Sequence, residues 1–317
     1  MGPMLLSVRK VTKNFPVARG VLGRPTAFVK AVDNVSLDIE PGQIVGVVGE
    51  SGCGKSTLGR CVVGLHTPTQ GAVLWDGHDL SQMNVQERRE VQRRFQMVFQ
   101  NPFASLNPRQ KVKEVLFEPL DVHGLIEPKE RLGYVTELLR KVGLFADDLN
   151  KYPHEFSGGQ RQRIGLARAL AGQPGLIVLD EPVSSLDVSV QDSILNLLEQ
   201  LNREQRISYL FISHDLQVVG YLSEKVLVMY LGRMVEEGNT DQVLRTPRHP
   251  YTQILLSSSR GNKVTVKGEP PSPVQTPSGC AFHPRCPYAE KRCQEEKQEL
   301  AQGGQDWKVA CWKWDRL

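Results

Sequence analysis

The sequence predicts an α/β fold with a parallel-sheet core, and three observations carry that expectation. Four short runs, Ile44–Val48, Leu176–Leu179, Tyr209–Ile212 and Val226–Met229, are apolar on both faces, as buried parallel strands are. Helical periodicity falls between them: Leu132, Val135, Leu138, Leu139 and Val142 on one face, then Ile194, Leu197, Leu198 and Leu201 on another. Finally, the stretch Gly49-Glu50-Ser51-Gly52-Cys53-Gly54-Lys55-Ser56-Thr57 joins the first apolar run to a helical segment. Strand, glycine-rich turn and helix in that order build an α/β domain around a phosphate-binding loop.

The chemistry of that loop comes from its residue types. A polyphosphate needs several backbone N–H groups converging on it, and glycines let the chain turn and approach closely. The helix start adds unpaired donors and positive dipole. Lys55 is expected to reach the outer phosphates and the Ser56 hydroxyl to sit on Mg²⁺, so Gly49 to Thr57 are expected to hold a nucleoside triphosphate.

Bulk properties narrow the class. The 317 residues suit one large domain with an appendage, and 40% hydrophobic with 23% charged residues is ordinary globular composition. A formal charge of +4 does not indicate a nucleic-acid binder. No run approaches the roughly 18 apolar residues of a membrane span. The start, Met1-Gly2-Pro3-Met4-Leu5-Leu6, lacks the basic and long apolar regions of a signal peptide, and Leu6 stands where a myristoylation motif needs Ser or Thr. A cytosolic chain is expected, with its six cysteines as thiols or metal ligands.

In chain order, a strand from about Leu5 to Val11 is expected to end near Phe15, and Arg19–Pro25 reads as a surface loop. Val35–Glu40 alternates as a half-exposed strand before the Pro41-Gly42 turn. Gly71–Trp75 is a strand closed by Asp76-Gly77, Glu87–Arg94 a solvated helix face, and Met97–Gln100 a brief strand broken by Asn101-Pro102. Helical pattern extends from Glu127 to about Pro174. Composition changes after Thr246: Ser257–Gly261 opens a linker that Pro270, Pro271, Pro273 and Pro277 stiffen, leading to a small tail read as a separate module.

Asp180 and Glu181 end a buried strand, where a Mg²⁺-organising carboxylate and a water-activating carboxylate belong. Asp180 is assigned to the metal and Glu181 to general-base work. Ser157 is suited to cap a helix running to Ala171, with Gly158 and Gly159 bringing backbone donors forward and Gln160 next in line.

Taken together, about residues 4 to 245 resemble the ATP-binding cassette family. Gln100 resembles its Q-loop glutamine, Ser157 to Gln160 its signature motif, and Leu176 to Glu181 its Walker B strand. Ser185-Leu186-Asp187 resembles the D-loop, His214 the switch histidine, and Phe15 stands where the family stacks an aromatic ring on adenine. The resemblance implies a RecA-like P-loop core with an antiparallel β subdomain and a helical subdomain at about 101–174, within an ATPase domain spanning 1–245. It also implies two cassettes facing head to tail, so that Ser157 and Gly159 contact the partner's ATP, with Mg²⁺ held through Ser56, Gln100 and Asp180. Glu181 and His214 would then be the catalytic pair, His214 orienting the attacking water.

Three segments refine the resemblance: Asn101–Arg109, Tyr152–Phe156 and Arg248–Thr252, together with Pro271-Ser272-Pro273 and Gly279–Cys286 of the tail. These are similar to the ATPase subunits of oligopeptide, dipeptide and nickel importers, most closely the F-type subunit of the dipeptide system. That likeness implies a peripheral ATPase on the cytoplasmic face of the bacterial inner membrane. It would pair with a D-type paralogue, drive two transmembrane permease subunits fed by an extracytoplasmic binding protein, and bind no nucleic acid. Import of nickel chelates or glutathione-like solutes is the alternative within this machinery. From another class, a soluble cassette ATPase acting on RNA or ribosomes would carry paired cassettes or basic arms, which this sequence lacks.

Cys280, Cys286, Cys293 and Cys311 of the 246–317 extension lack the tight Cys-x2–4-Cys spacing of most zinc sites, so spacing alone leaves free thiols and zinc both open. Four soft ligands in a tail too small for its own core favour a metal staple. The resemblance to peptide-importer ATPases implies a [4Fe–4S] cluster. Cys53 and Cys61 read as small packing residues.

Overall fold

The chain is described here by a computed structural model covering residues 4–19, 25–101, 105–259 and 268–316. It forms two compact units: Met1–Glu40 with Ile44–Ser81 and Phe211–Leu317, and Pro41–Gln43 with Gln82–Leu210.

The first unit opens on β1 (Leu6–Arg19) and β2 (Pro25–Ile39), antiparallel from Leu6↔Ile39 to Arg19↔Pro25 with several register shifts. Val8, Val11, Val35, Leu37 and Ile39 fill its inner face. β1 runs past Phe15, further than its sequence pattern predicts, because pairing with β2 continues where apolar alternation stops. Of the predicted Arg19–Pro25 loop, residues 20–24 lie outside the described residues. β3 (Ile44–Val48) is buried throughout and feeds α1 (Lys55–Val62). β4 (Gln70–Trp75) pairs with the other edge of β1, and β5 (His78–Asp79) folds back on it. Asp76 at φ 45° and Gly77 at φ 81° make the tight hairpin turn that Asp-Gly predicts.

In the second unit, α2 (Val85–Arg94) has an Asn84–Glu87 capping box and buries no residue, as its charge density predicts. β6 (Phe95–Val98) runs parallel to β7 (Leu176–Asp180). Between them, α3 (Val112–His123), α4 (Arg131–Lys141) and α5 (Gly158–Ala171) pack on one another. Their cores are Val115, Leu116 and Leu120, then Val135, Leu138 and Leu139, then Ile164 and Leu170. Leu132 does not share the expected face: it sits on the first turn of α4 and is 58% exposed. α6 (Val188–Gln205) buries the predicted Ile194, Leu197, Leu198 and Leu201. β8 (Ser208–Ser213), buried along its length, carries the chain back to the first unit.

There α7 (Leu216–Leu222) precedes β9 (Lys225–Tyr230), which lies parallel to β3, and β10 (Arg233–Asn239) turns back antiparallel to β9. Next in the chain are α8 (Thr240–Arg245) and α9 (Pro250–Ser259). Ser257–Ser259 close α9 where composition predicts a linker; Arg260 and Gly261 lie outside the described residues. The tail carries α10 (Lys291–Glu295), β11 (Ala301–Gly304) and β12 (Trp307–Val309). β12 pairs with β10 through Glu236↔Val309, so within this unit the strand order is β11-β12-β10-β9-β3. The tail therefore extends the first unit's sheet and does not stand apart. Trp307, 4% exposed, donates from Nε1 to the fully buried Glu236 at 3.0 Å, and the Arg248 guanidinium lies 4.1 Å from its ring.

Candidate nucleotide-binding site

The glycine-rich loop sits where β3 ends and α1 begins. Gly54, at φ 110°, is the residue before the helix, and no side chain caps it. Gly54 brings no capping side chain, and no acidic residue occupies the first turn, so the first turn itself leaves the positive end of the α1 dipole unopposed. That helix end fits an anion. A Cβ at Gly54 would lie 1.9 Å from the Ala31 carbonyl oxygen, and one at Gly49 2.1 Å from that of Met229. These two glycines are therefore required by backbone packing against β2 and β9 as well as by the turn. Gly52 is exposed on the open side of the loop, beside exposed Ser51.

Lys55 is 4% exposed, and its Nζ donates to the carbonyls of Gly49 at 2.7 Å and Glu50 at 3.0 Å. The ammonium is thus folded back along its own loop. Cys53 is 5% and Cys61 1% exposed, and burial raises both thiol pKa values, that of Cys61 to about 11. Both are packing residues, as the sequence suggests. Ser56 and Thr57 are half-buried on the first turn of α1.

Phe15, on β1, meets His66 edge-on at 5.3 Å with Lys13 Nζ 5.2 Å from its ring centre. Burial, then Lys13 and Arg60, lower the His66 pKa, favouring a neutral imidazole beside that ring. His214 is exposed immediately after β8, and Asp215 caps α7 by accepting from the Gln217 N–H at 2.8 Å.

The second unit gathers the other candidates. Asp180, 2% exposed, ends β7, and Glu181 comes next at φ 48°, a left-handed conformation uncommon for a non-glycine residue. The Gln100 amide donates to Glu181 Oε2 at 2.9 Å, joining two residues 81 positions apart. Ser157 caps α5 reciprocally with Gln160: the Gln160 N–H reaches Ser157 Oγ at 3.3 Å, and the Ser157 N–H reaches Gln160 Oε1 at 3.0 Å. Leu186 packs against Gly158, where a Cβ would come 3.4 Å from its Cδ2; at Gly159 the nearest atom is Val190 Cγ1, at 2.4 Å. The segment Ser185-Leu186-Asp187 thus abuts the glycine turn of the signature-like motif. Within this unit Gln100 and Asp180 carry amide and carboxylate oxygens, hard donors of the kind Mg²⁺ takes.

Some features were not legible beforehand. Buried Arg161 donates from Nε to the Pro153 carbonyl at 2.6 Å and from Nη2 to that of His154 at 3.2 Å, tying the segment before the signature-like motif to α5. The Glu50 amide donates to Tyr251 Oη at 2.8 Å. The Arg248–Thr252 motif signalled only a family branch, not this contact. Pro102, Phe103 and Ala104 of the Asn101–Arg109 motif lie outside the described residues.

The iron–sulfur expectation is corrected. Among the described residues, no group of three or more His, Cys, Asp or Glu side chains is arranged to hold a metal ion. Cys280, Cys286, Cys293 and Cys311 are free thiols bordering one apolar cavity, and burial raises all four pKa values, that of Cys311 to about 11. The metal staple is the expectation for a tail too small for its own core, and the [4Fe–4S] choice follows from the resemblance to peptide-importer ATPases. Strand pairing on β10, Trp307 and the Arg292–Trp312 stack at 3.4 Å anchor the tail instead.

Comparison with known proteins agrees with this geometry. The ABC transporter family profile matches residues 32–184, and the profile of the oligopeptide/dipeptide transporter C-terminal region matches residues 235–293. The chain is 48% identical to the oligopeptide transport ATP-binding protein AppF of Bacillus subtilis, over 97% of this chain and 96% of that one. It is 45% identical to the dipeptide transport ATP-binding protein DppF of Haemophilus influenzae, over 98% and 97%. Among solved structures, the dimeric post-hydrolysis state of the ATP-binding cassette MJ0796 bound to ADP and Pi aligns with a TM-score of 0.66 and 29% identity, over 74% of this chain and 98% of that one.

Proposed function

Because the chain belongs to the ABC transporter family of ATP-binding proteins, we propose that it is the ATP-hydrolysing subunit that powers import of di- or oligopeptides. The observation that carries the reading is the loop Gly49–Thr57, which enters α1 at Gly54 with no acidic residue in the first turn and holds Lys55 buried against the loop's own carbonyls. Full-length likeness to peptide-transport ATP-binding proteins supports the solute class.

In this reading Gly49, Glu50, Ser51, Gly52, Cys53, Gly54, Lys55, Ser56 and Thr57 cradle the phosphates, and Phe15 supports the adenine. Mg²⁺ supplies charge neutralisation on the phosphates, and Ser56, Gln100 and Asp180 would hold it. Glu181 takes a proton from the attacking water, with Gln100 fixing its carboxylate at 2.9 Å, and His214 orients that water. Ser157, Gly158, Gly159 and Gln160 face the ATP of a second cassette, a D-type paralogue, with Ser185, Leu186 and Asp187 alongside. Residues 1–245 form the ATPase domain and 246–317 the extension. Among the described residues no helix is long and apolar enough to cross a membrane. In keeping with the likeness to peptide-transport ATP-binding proteins, two permease subunits supply the membrane path, an extracytoplasmic binding protein delivers the peptide, and this subunit docks on the cytoplasmic face.

Glu181→Gln tests the reading. Turnover should fall by roughly two to four orders of magnitude, the contribution usual for a general base. Equilibrium ATP binding should persist, and a nucleotide-bound dimer should accumulate. Parent-like turnover by the variant would remove Glu181 from catalysis, and co-purification with RNA in place of permease subunits would overturn the transport assignment.

A further inference from the structure

Glu50 is held at each of its polar groups. Its carbonyl accepts from Lys55 Nζ at 3.0 Å, and its N–H donates to Tyr251 Oη at 2.8 Å. Its carboxylate receives a two-pronged bond from Arg285: Nη1 to Oε2 at 2.9 Å and Nη2 to Oε1 at 3.0 Å. The Glu50 carbonyl also accepts from the Cys53 N–H at 3.3 Å. Tyr251 belongs to α9 and Arg285 to the short turn His283–Arg285, so two of these four partners come from the C-terminal extension.

This is not an ordinary surface ion pair. The Arg285 side chain is 8% exposed and that of Glu50 27%, and the fork is bidentate. Nη1 also reaches Tyr230 Oη at 3.4 Å. The turn that presents Arg285 is fixed by Phe282, 1% exposed, which meets Tyr230 at 5.2 Å and 88° and Tyr251 at 5.4 Å. Ser51 and Gly52, by contrast, are exposed, so Glu50 is the point at which the outer part of the loop is anchored. Since Lys55 rests on the carbonyls of Gly49 and Glu50, a displacement of Glu50 also displaces the ammonium.

We propose that Arg285 is a positioning residue for the phosphate loop: by clamping the Glu50 carboxylate it makes nucleotide affinity depend on the C-terminal extension. This inference rests on Gly49–Thr57 being the nucleotide site. Arg285 reaches the loop through the Glu50 carboxylate. Its effect travels through Glu50 to Lys55.

The test uses the full chain, titrated to equilibrium with ATP, with the melting temperature of each variant recorded separately. Arg285→Met should weaken ATP binding about five- to tenfold, within the range that residues of one hydrogen-bond network transmit. Arg285→Lys, which keeps the charge and loses the fork, should fall between Arg285→Met and the parent. Glu50→Gln should weaken binding too, and the Arg285→Met, Glu50→Gln double variant should bind no worse than the weaker single variant, because both cut the same linkage. A purely structural clamp would lower the melting temperature while the folded protein kept its parent affinity; that result, or singles whose effects multiply in the double, overturns the proposal. Should Arg285→Met fail to fold, Arg285→Lys decides: weakened binding supports the clamp and parent affinity overturns it. A parent chain that binds no ATP takes the nucleotide reading and this inference together, an outcome distinct from an ATP-binding parent with indifferent variants.

Discussion

Three glycines on α5 have the same side chain and different surroundings, so replacing each by alanine should give three different results. At Gly159 the new Cβ would come 2.4 Å from Val190 Cγ1, well inside contact distance. Val190 is β-branched and sits on the first turn of α6, so rotation away from the clash is restricted. Such overpacking costs about 1–3 kcal/mol, and the helix-propensity gain of at most about 1 kcal/mol offsets only part of it. A net loss of about 1–2 kcal/mol is expected for Gly159→Ala. Gly165, in the interior of the same helix, has nothing within 4 Å of an added Cβ. Gly165→Ala should therefore gain about 0.5–1 kcal/mol. Gly158→Ala meets the flexible tip of Leu186 at 3.4 Å and should stay within about 0.5 kcal/mol of the parent. Thermal unfolding separates them, since about 1 kcal/mol moves the melting temperature of a domain of this size by roughly 2–4 °C. ATP turnover, measured alongside, should fall for Gly159→Ala and hold for Gly165→Ala. A Gly159→Ala protein as stable as the parent, or a destabilised Gly165→Ala, would refute the reasoning from Cβ distances.

Lys55→Ala should weaken ATP binding by about 1.5–3 kcal/mol, the worth of a lost charge-assisted contact; unchanged affinity in equilibrium titration contradicts the loop assignment. His249 is fully buried, accepts from the Tyr251 N–H at its Nδ1 at 3.1 Å, and is held neutral by burial, with its pKa lowered to about 3. Because the unfolded chain binds that proton near pH 6.5, stability should be lost as pH falls from there toward 3, by about 2 kcal/mol at pH 5. His249→Asn should flatten that decline between pH 7 and 5, and identical slopes for parent and variant would remove His249 as its source. Trp307→Ala removes a buried ring and leaves Glu236 without the Nε1 donor, so the full chain should lose about 3–5 kcal/mol. A parent-like melting profile would mean that the tail does not brace the sheet.

The sequence and the structure agree where one physical rule acts over a short stretch of chain. The doubly apolar runs became β3, β7, β8 and β9, the Asp76-Gly77 turn has both residues at positive φ, and Ser157 begins α5 with Gln160 closing the cap. Each of those signals lies within a few residues of its effect. The misreadings share a different cause. β1 is lengthened by a partner strand, Leu132 is turned outward by where α4 starts, and Ser257–Ser259 are drawn into α9. Local pattern carries no information about a neighbour that arrives from elsewhere in the chain.

The cysteine tail is the sharpest instance. Judged as an isolated stretch, a segment with few apolar residues needs a metal to order it. Judged in place, it borrows the edge of β10 and the carboxylate of Glu236 through Trp307. The same borrowing runs in the other direction at Glu50, whose partner Arg285 stands 235 residues later. The glycine-rich loop announces that phosphate binds, because its spacing is local chemistry. What holds the loop still belongs to contacts that only folding creates, and it is there that the C-terminal extension gains a hand in the nucleotide site.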